Sequence, residues 1–181
     1  MAEIRIRLAA PADAAMLAEL GARTFEDAFA PDNRPEDIAL YLSRTYGVAQ
    51  QTAELADPKI ATLVAEAEGR VAGFAQLRSG VPPSCVQGPA PIEVWRFYVD
   101  RPWHGTGVAQ ALMAAARREA ASRGGQTLWL AAWERNERAK AFYRKCGFLD
   151  VGSQPFILGR DRQTDRIMAS ALVQATIEAQ T

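Results

Sequence analysis

Between Ile92 and Arg123 the chain runs from an apolar segment, IEVWRFYV, through DRPWHGTGVA into a long alanine-rich helical pattern. That order of strand, glycine loop and helix limits the fold more than any other stretch. Gly105 and Gly107 lack a Cβ, so backbone N–H groups there can approach an anion while the following helix points its dipole at it. The loop reads as a cradle for a phosphate ester, although two glycines between strand and helix are also ordinary loop chemistry. Two familiar phosphate loops are excluded. Val108, Ala109 and Gln110 follow Gly107 where a Walker loop requires Lys-Ser/Thr, and Gln110 stands where a dinucleotide fingerprint requires its third glycine.

The flanking segments supply the rest of an α/β pattern. Glu3 to Leu8 alternates charged and apolar residues, as a half-exposed strand does. Pro11 and Asp13 open a helix with Leu17, Leu20 and Phe25 on its buried side, and Thr24 to Phe29 leads into a proline-bearing loop at 30–35. Helices are expected from Pro35 to about Arg44 and from Val48 to Leu55. Ile60 to Glu66 and Arg70 to Arg78 form a hairpin around Ala67-Glu68-Gly69. A Pro/Gly-rich loop at 79–91 precedes the apolar strand.

Val108, Ala111, Leu112 and Ala115 share one face of the helix that Gly124-Gly125 closes. Thr127 to Trp133 is apolar throughout, as a central strand covered on both faces must be. Asn136 can cap a helix carrying Ala139, Phe142, Tyr143 and Cys146 at i, i+3, i+4, i+7 spacing, ended by Gly147. Phe148 to Leu158 and Thr164 to Leu172 make a last strand pair around GRDRQ. The tail at 173–181 reads as weakly ordered, leaving one domain over 1–181 with its core at about 3–172.

A chain of 181 residues can bury about two thirds of its unfolded surface without a metal or disulfide. Lys+Arg and Asp+Glu are 21 each, so no overall field draws in nucleic acid or an acidic membrane surface. Cys85 and Cys146 lack Cys/His companions at metal-ligand spacing and read as free thiols. Charged residues interrupt the N-terminal segment, which excludes a signal peptide, and no apolar run approaches the roughly 18 residues of a membrane span. The expected setting is cytoplasmic, as a monomer or homodimer.

Two motifs together carry a family resemblance. His104-Gly105-Thr106-Gly107-Val108-Ala109 matches the Gln/Arg-x-x-Gly-x-Gly/Ala pyrophosphate loop of the GNAT N-acetyltransferases, except that His104 departs from its first position. Asn136-x-x-Ala139-x-x-Phe142-Tyr143-x-x-x-Gly147-Phe148 resembles the second motif of that family, at the expected distance downstream. The resemblance covers about Thr24 to Leu172. It implies a single α/β (α+β) domain with a mixed, mostly antiparallel sheet of six to seven strands flanked by helices. The fourth and fifth strands would splay apart around the pantetheine arm of acetyl-CoA.

The resemblance also assigns roles. Backbone groups of Tyr98 and Val99 would pair with the pantetheine arm, amides of Gly105, Thr106, Gly107, Val108 and Ala109 would hold the pyrophosphate, and Asn136 would contact the arm. Tyr143 would direct its hydroxyl at the thioester sulfur as general acid. Lys145, or Arg138 or Lys140, would reach the adenosine phosphate. His104 would offer a hydrogen bond to phosphate, or only its backbone.

An alkylammonium of pKa near 10.4 must lose a proton before attack, which at pH 7 costs roughly 4 to 5 kcal/mol. Glu93, on the strand beside the expected thioester, is the candidate base, with a solvated strand-start charge as the plain alternative. An acyl-cysteine route is disfavoured because neither cysteine has a histidine near it in sequence.

TFEDAF, WHGTGVAQAL, WLAAWERNERAKAFYRKCGF and FILGRDRQTDRIM resemble the bacterial spermidine/spermine N-acetyltransferase branch. Glu26, Asp27, Glu93, Glu134, Asp161 and Asp165 could then supply carboxylates for a polyamine, with surface ion pairs to neighbouring arginines as the alternative, which is preferred for Asp161 and Asp165. Two other readings stay open: an acetyltransferase of protein N-termini or lysines, and a non-catalytic acyl-CoA-binding module.

Overall fold

Strand alternation divides the two faces of one sheet between two sets of helices. In the computed structural model, which describes residues 3–172, the strands are β1 (Ile4–Leu8), β2 (Ile60–Ala67), β3 (Arg70–Ser79), β4 (Pro91–Val99), β5 (Thr127–Trp133), β6 (Leu149–Leu158) and β7 (Asp161–Ala171). The helices are α1 (Ala14–Phe29), α2 (Pro35–Thr45), α3 (Val48–Ala56), α4 (Val108–Ser122) and α5 (Glu137–Lys145). Leu63, Ala75 and Leu77 face α4, while the intervening Val64 and Phe74 face α1, as a period of two requires. The tail expected at 173–181 lies outside the described residues.

The seven strands lie in the order β1-β2-β3-β4-β5-β7-β6. Every neighbouring pair is antiparallel except β4 and β5, which are parallel. The expected mixed, mostly antiparallel sheet is therefore present, with seven strands. β2 and β3 are joined by Glu68 (φ 52°) and Gly69 (φ 72°), a two-residue turn whose twist suits a hairpin.

β7 begins three residues earlier than the sequence pattern indicated. The turn is only Gly159-Arg160, so Asp161 already pairs with Leu158.

The helices form for the expected reasons. α1 buries Leu17, Leu20, Gly21, Thr24 and Phe25 along one stripe. In α5 the Asn136 side chain accepts from the Ala139 N–H at 3.0 Å, satisfying one of the orphan donors of the first turn.

One core feature is polar. Arg96 of β4 donates to both carboxylate oxygens of Glu54 on α3 and to Gln76 on β3, with its guanidinium 3.9 Å from the Trp95 ring centroid. Both charges are buried, and together they fasten α3 to the sheet.

Candidate active site

β4 and β5 pair only at Pro91↔Thr127, Ile92↔Leu128 and Glu93↔Trp129. Beyond Glu93 the two strands part, leaving facing edges at 94–99 and 130–133 without a shared ladder. A sheet interior with unpaired edges leaves backbone donors and acceptors to be met by something inserted between them. The cause lies on the far side of each strand. β4 stays paired with β3 through Val99, with a bulge at Trp95 that shifts the register just past Glu93, and β5 stays paired with β7 through Trp133.

The glycine loop closes the mouth of this opening. Asp100 Oδ1 accepts from the Arg101 N–H and starts a short 3-10 turn over Arg101–Trp103. Gly105 (φ 79°) and Gly107 (φ 96°) then adopt left-handed backbone, which other residues resist. No side chain caps α4, whose first helical bond runs from Ala111 N–H to the Gly107 carbonyl. The N–H groups of Val108, Ala109 and Gln110 therefore stay open at the positive end of a 15-residue helix. A Cβ built on Gly105 meets nothing within 4 Å. These features fit a diphosphate group.

His104 turns toward the strand: its Nε2 lies 2.8 Å from the Val99 carbonyl oxygen, and Arg138 of α5 approaches its Nδ1 at 2.9 Å. Asn136 uses Oδ1 as the α5 cap, and among the described residues its amide nitrogen donates to nothing. Lys145 is exposed on α5. Lys140 is committed elsewhere, donating to the Glu134 carbonyl at 2.5 Å and pairing with Glu137 at 2.6 Å.

Tyr143 is 8% exposed, edge-on to Phe97, Phe142 and Phe148. Burial, with a smaller contribution from Tyr98, pushes its phenol well above the usual tyrosine range, so the group is a protonated donor. Among the described residues its hydroxyl has no hydrogen-bond partner. Tyr98 projects to the opposite face, where the Tyr46 hydroxyl donates to the Tyr98 hydroxyl at 2.9 Å. Burial likewise pushes the Cys146 thiol up, which keeps it a poor nucleophile.

Glu93 sits at the vertex where the strands separate. It is buried, and Arg78 donates to its Oε2 at 2.5 Å. Glu26 and Asp27 are exposed on α1, and Glu134 is exposed in the turn after β5.

Asp165 departs from its expected surface ion pairing. It is 9% exposed with no ionic or hydrogen-bond partner among the described residues. Alternation along β7 explains this: Arg162 and Arg166 point to the opposite face, and Arg166 pairs with Asp150. Sequence reasoning also missed Tyr41 near Asp165, because it lies in a helical segment whose partners are far away in sequence.

The Acetyltransferase (GNAT) family model matches residues 20–148. An uncharacterized N-acetyltransferase of Mycobacterium tuberculosis is 36% identical over 161 residues, covering 89% of this chain and 99% of the relative. Another, from the pepI 3′ region of Lactobacillus delbrueckii subsp. lactis, is 33% identical over 150 residues, covering 83% and 87%. The solved PaiA N-acetyltransferase from Thermoplasma acidophilum, in complex with coenzyme A, matches with a TM-score of 0.76 over 93% of this chain and 99% of that one, at 20% identity. The chain belongs to the GNAT acetyltransferase family and is an acetyl-CoA-dependent N-acetyltransferase. None of these three names an acceptor amine. No helix among the described residues is long and apolar enough to cross a membrane.

Proposed function

We propose that this enzyme acetylates a primary amine of a small molecule, with polyamines as the leading acceptor class. The observation that carries this reading is the pairing of an open strand splay with a buried, unpaired carboxylate, Asp165, opposite Trp133 on the neighbouring strand. Bound acetyl-CoA supplies a thioester whose acyl carbon is open to a neutral amine. Amides from Gly105 to Ala109, including those of Thr106 and Val108, would hold the pyrophosphate, with Lys145 near the adenosine phosphate. Backbone of Tyr98 and Val99, with the amide nitrogen of Asn136, would line the arm.

Tyr143 donates a hydrogen bond to the leaving sulfur. Its raised pKa makes complete proton transfer to a thiolate of ordinary pKa near 8.5 uphill, so the hydrogen bond itself is the stabilising contribution. Glu93, with Oε2 held by Arg78, can act as a base only through its remaining oxygen, by way of a water. Glu26, Asp27 and Glu134 would attract the distal ammonium groups of a polycation.

The test is release of free thiol from acetyl-CoA with spermidine, spermine, arylalkylamines, amino acids and short peptides, with the Tyr143→Phe variant alongside. Turnover of small amines, reduced in the variant, is expected. Turnover confined to peptides would overturn the reading.

A further inference from the structure

Asp165 of β7 lies opposite Trp133 of β5 and Gln154 of β6 in the strand registers, so the three side chains rise on one face of the sheet. Trp133 ends β5, well past the point where β4 has left it. Phe29 stacks on the Trp133 ring at 4.9 Å, and Phe156 lies 6.1 Å from Phe29 and 5.6 Å from Tyr41. The Asp165 carboxylate thus lies on the ring-bearing face of the sheet, one strand away from the open edge of β5.

Two polar groups there lack a partner. Asp165 has none for its carboxylate, and the Trp133 Nε1–H is buried without an acceptor. A buried carboxylate normally finds a cation or a set of donors. The other buried carboxylates near β4 follow that rule: Glu54 holds Arg96 and Glu93 holds Arg78. Arg135 lies over the Trp133 ring, 6.0 Å from its centroid, and makes no ion pair with Asp165.

We propose that Asp165 receives the ammonium group of the acceptor on this face of the sheet and removes its proton, delivering a neutral amine to the splay. This rests on the amine-acetylating reading above. An ammonium N–H bond breaks as an O–H bond forms on Asp165, freeing the nitrogen lone pair. The nitrogen then bonds to the acyl carbon while the C–S bond breaks and its electron pair leaves with sulfur, beside the Tyr143 hydroxyl. The remaining excess proton on nitrogen and the proton on Asp165 pass to water. The carboxylate meets the cation before the proton leaves, so the ligand class is a primary alkylammonium.

The groups facing Asp165 are Glu134 from the turn after β5, Tyr41 from α2 and Tyr98 from β4. Burial, reinforced by the negative charge of Glu134, raises the carboxyl to about 6. A base in that range accepts a proton near neutrality better than an ordinary aspartate does.

The experiment compares wild type with Asp165→Asn and Asp165→Glu. It measures kcat/KM for the best amine across pH 5 to 9, acetyl-CoA affinity, and thermal midpoint. Wild type should show an inflection near 6, with activity rising above it. Asp165→Asn should lose that inflection and at least tenfold in kcat/KM, with acetyl-CoA affinity unchanged and the midpoint at pH 8 raised. Asp165→Glu should recover part of the loss, with an inflection of its own.

A wild-type profile and rate in Asp165→Asn would overturn the proposal while leaving amine acetylation standing. A wild type that binds acetyl-CoA but acetylates no amine would overturn both.

Discussion

Arg138 reaches His104 across the mouth of the splay, with its Nη1 2.9 Å from the histidine Nδ1. A guanidinium only donates, so Nδ1 accepts, and the hydrogen sits on Nε2, which faces the Val99 carbonyl at 2.8 Å. The second approach, Nη2 to Nε2 at 3.2 Å, sets two donors together and is not a hydrogen bond. The tie joins the loop after β4 to the helix after β5 and occupies the Val99 carbonyl that the pantetheine arm is proposed to use.

Releasing that tie should ease entry of the co-substrate. In Arg138→Ala, acetyl-CoA should associate several-fold faster in stopped-flow measurements of tryptophan fluorescence, with Trp103 beside the loop as reporter. Slower association would instead assign Arg138 to attracting phosphate.

Tyr143→Phe removes only an oxygen from a packed ring. A fall in kcat of about 100-fold is expected, in the range for loss of one preorganised donor. Acetyl-CoA affinity and thermal midpoint should stay near wild type. A matching rise in KM for acetyl-CoA with kcat intact would place Tyr143 in binding rather than in the chemical step.

Asn136 joins a structural and a binding task in one side chain. Asn136→Ala loses the cap on Ala139 and should cost about 1 kcal/mol in urea unfolding. Asn136→Ser keeps a capping oxygen but no amide donor. It should retain the stability while weakening acetyl-CoA binding, and equal binding by Ser and Asn would remove the ligand role.

Glu54→Ala leaves the buried Arg96 without its counter-charge. The expected loss is about 3 to 5 kcal/mol, read from the denaturation midpoint. Replacing both Glu54 and Arg96 with apolar residues should recover much of it, because no uncompensated charge then remains.

Asp165 should cost the fold stability at working pH. Its carboxyl is raised from 3.8 to about 6 in the native state, so the native state holds its proton more tightly than the unfolded chain. The stabilisation from that proton is complete below pH 4 and fades as pH rises through 6. Asp165→Asn should therefore be more stable than wild type at pH 8, by up to roughly 3 kcal/mol, and indistinguishable from it at pH 4. Thermal melts at the two pH values decide this.

Much of the architecture was legible because it is written at short range. The apolar run of β5, the 3.6-residue stripe of α1 and the cap at Asn136 each need only a few neighbouring residues. The glycine loop was legible for the same reason, since the left-handed backbone at Gly105 and Gly107 is a local property. Asp165 was not. In sequence it stands beside arginines, and only β7's pairing with β5 and β6 turns it away from them.

By itself the sequence determined the order of elements, the cradle between β4 and α4, and the helix that carries Asn136 and Tyr143. Tertiary structure alone decided which charges meet. It joined Arg96 to Glu54 and Arg138 to His104, and left Asp165 buried and unpaired opposite Trp133. Periodicity and capping act through neighbours along the chain, whereas the electrostatics of a buried group depend on strands and helices brought together from distant positions.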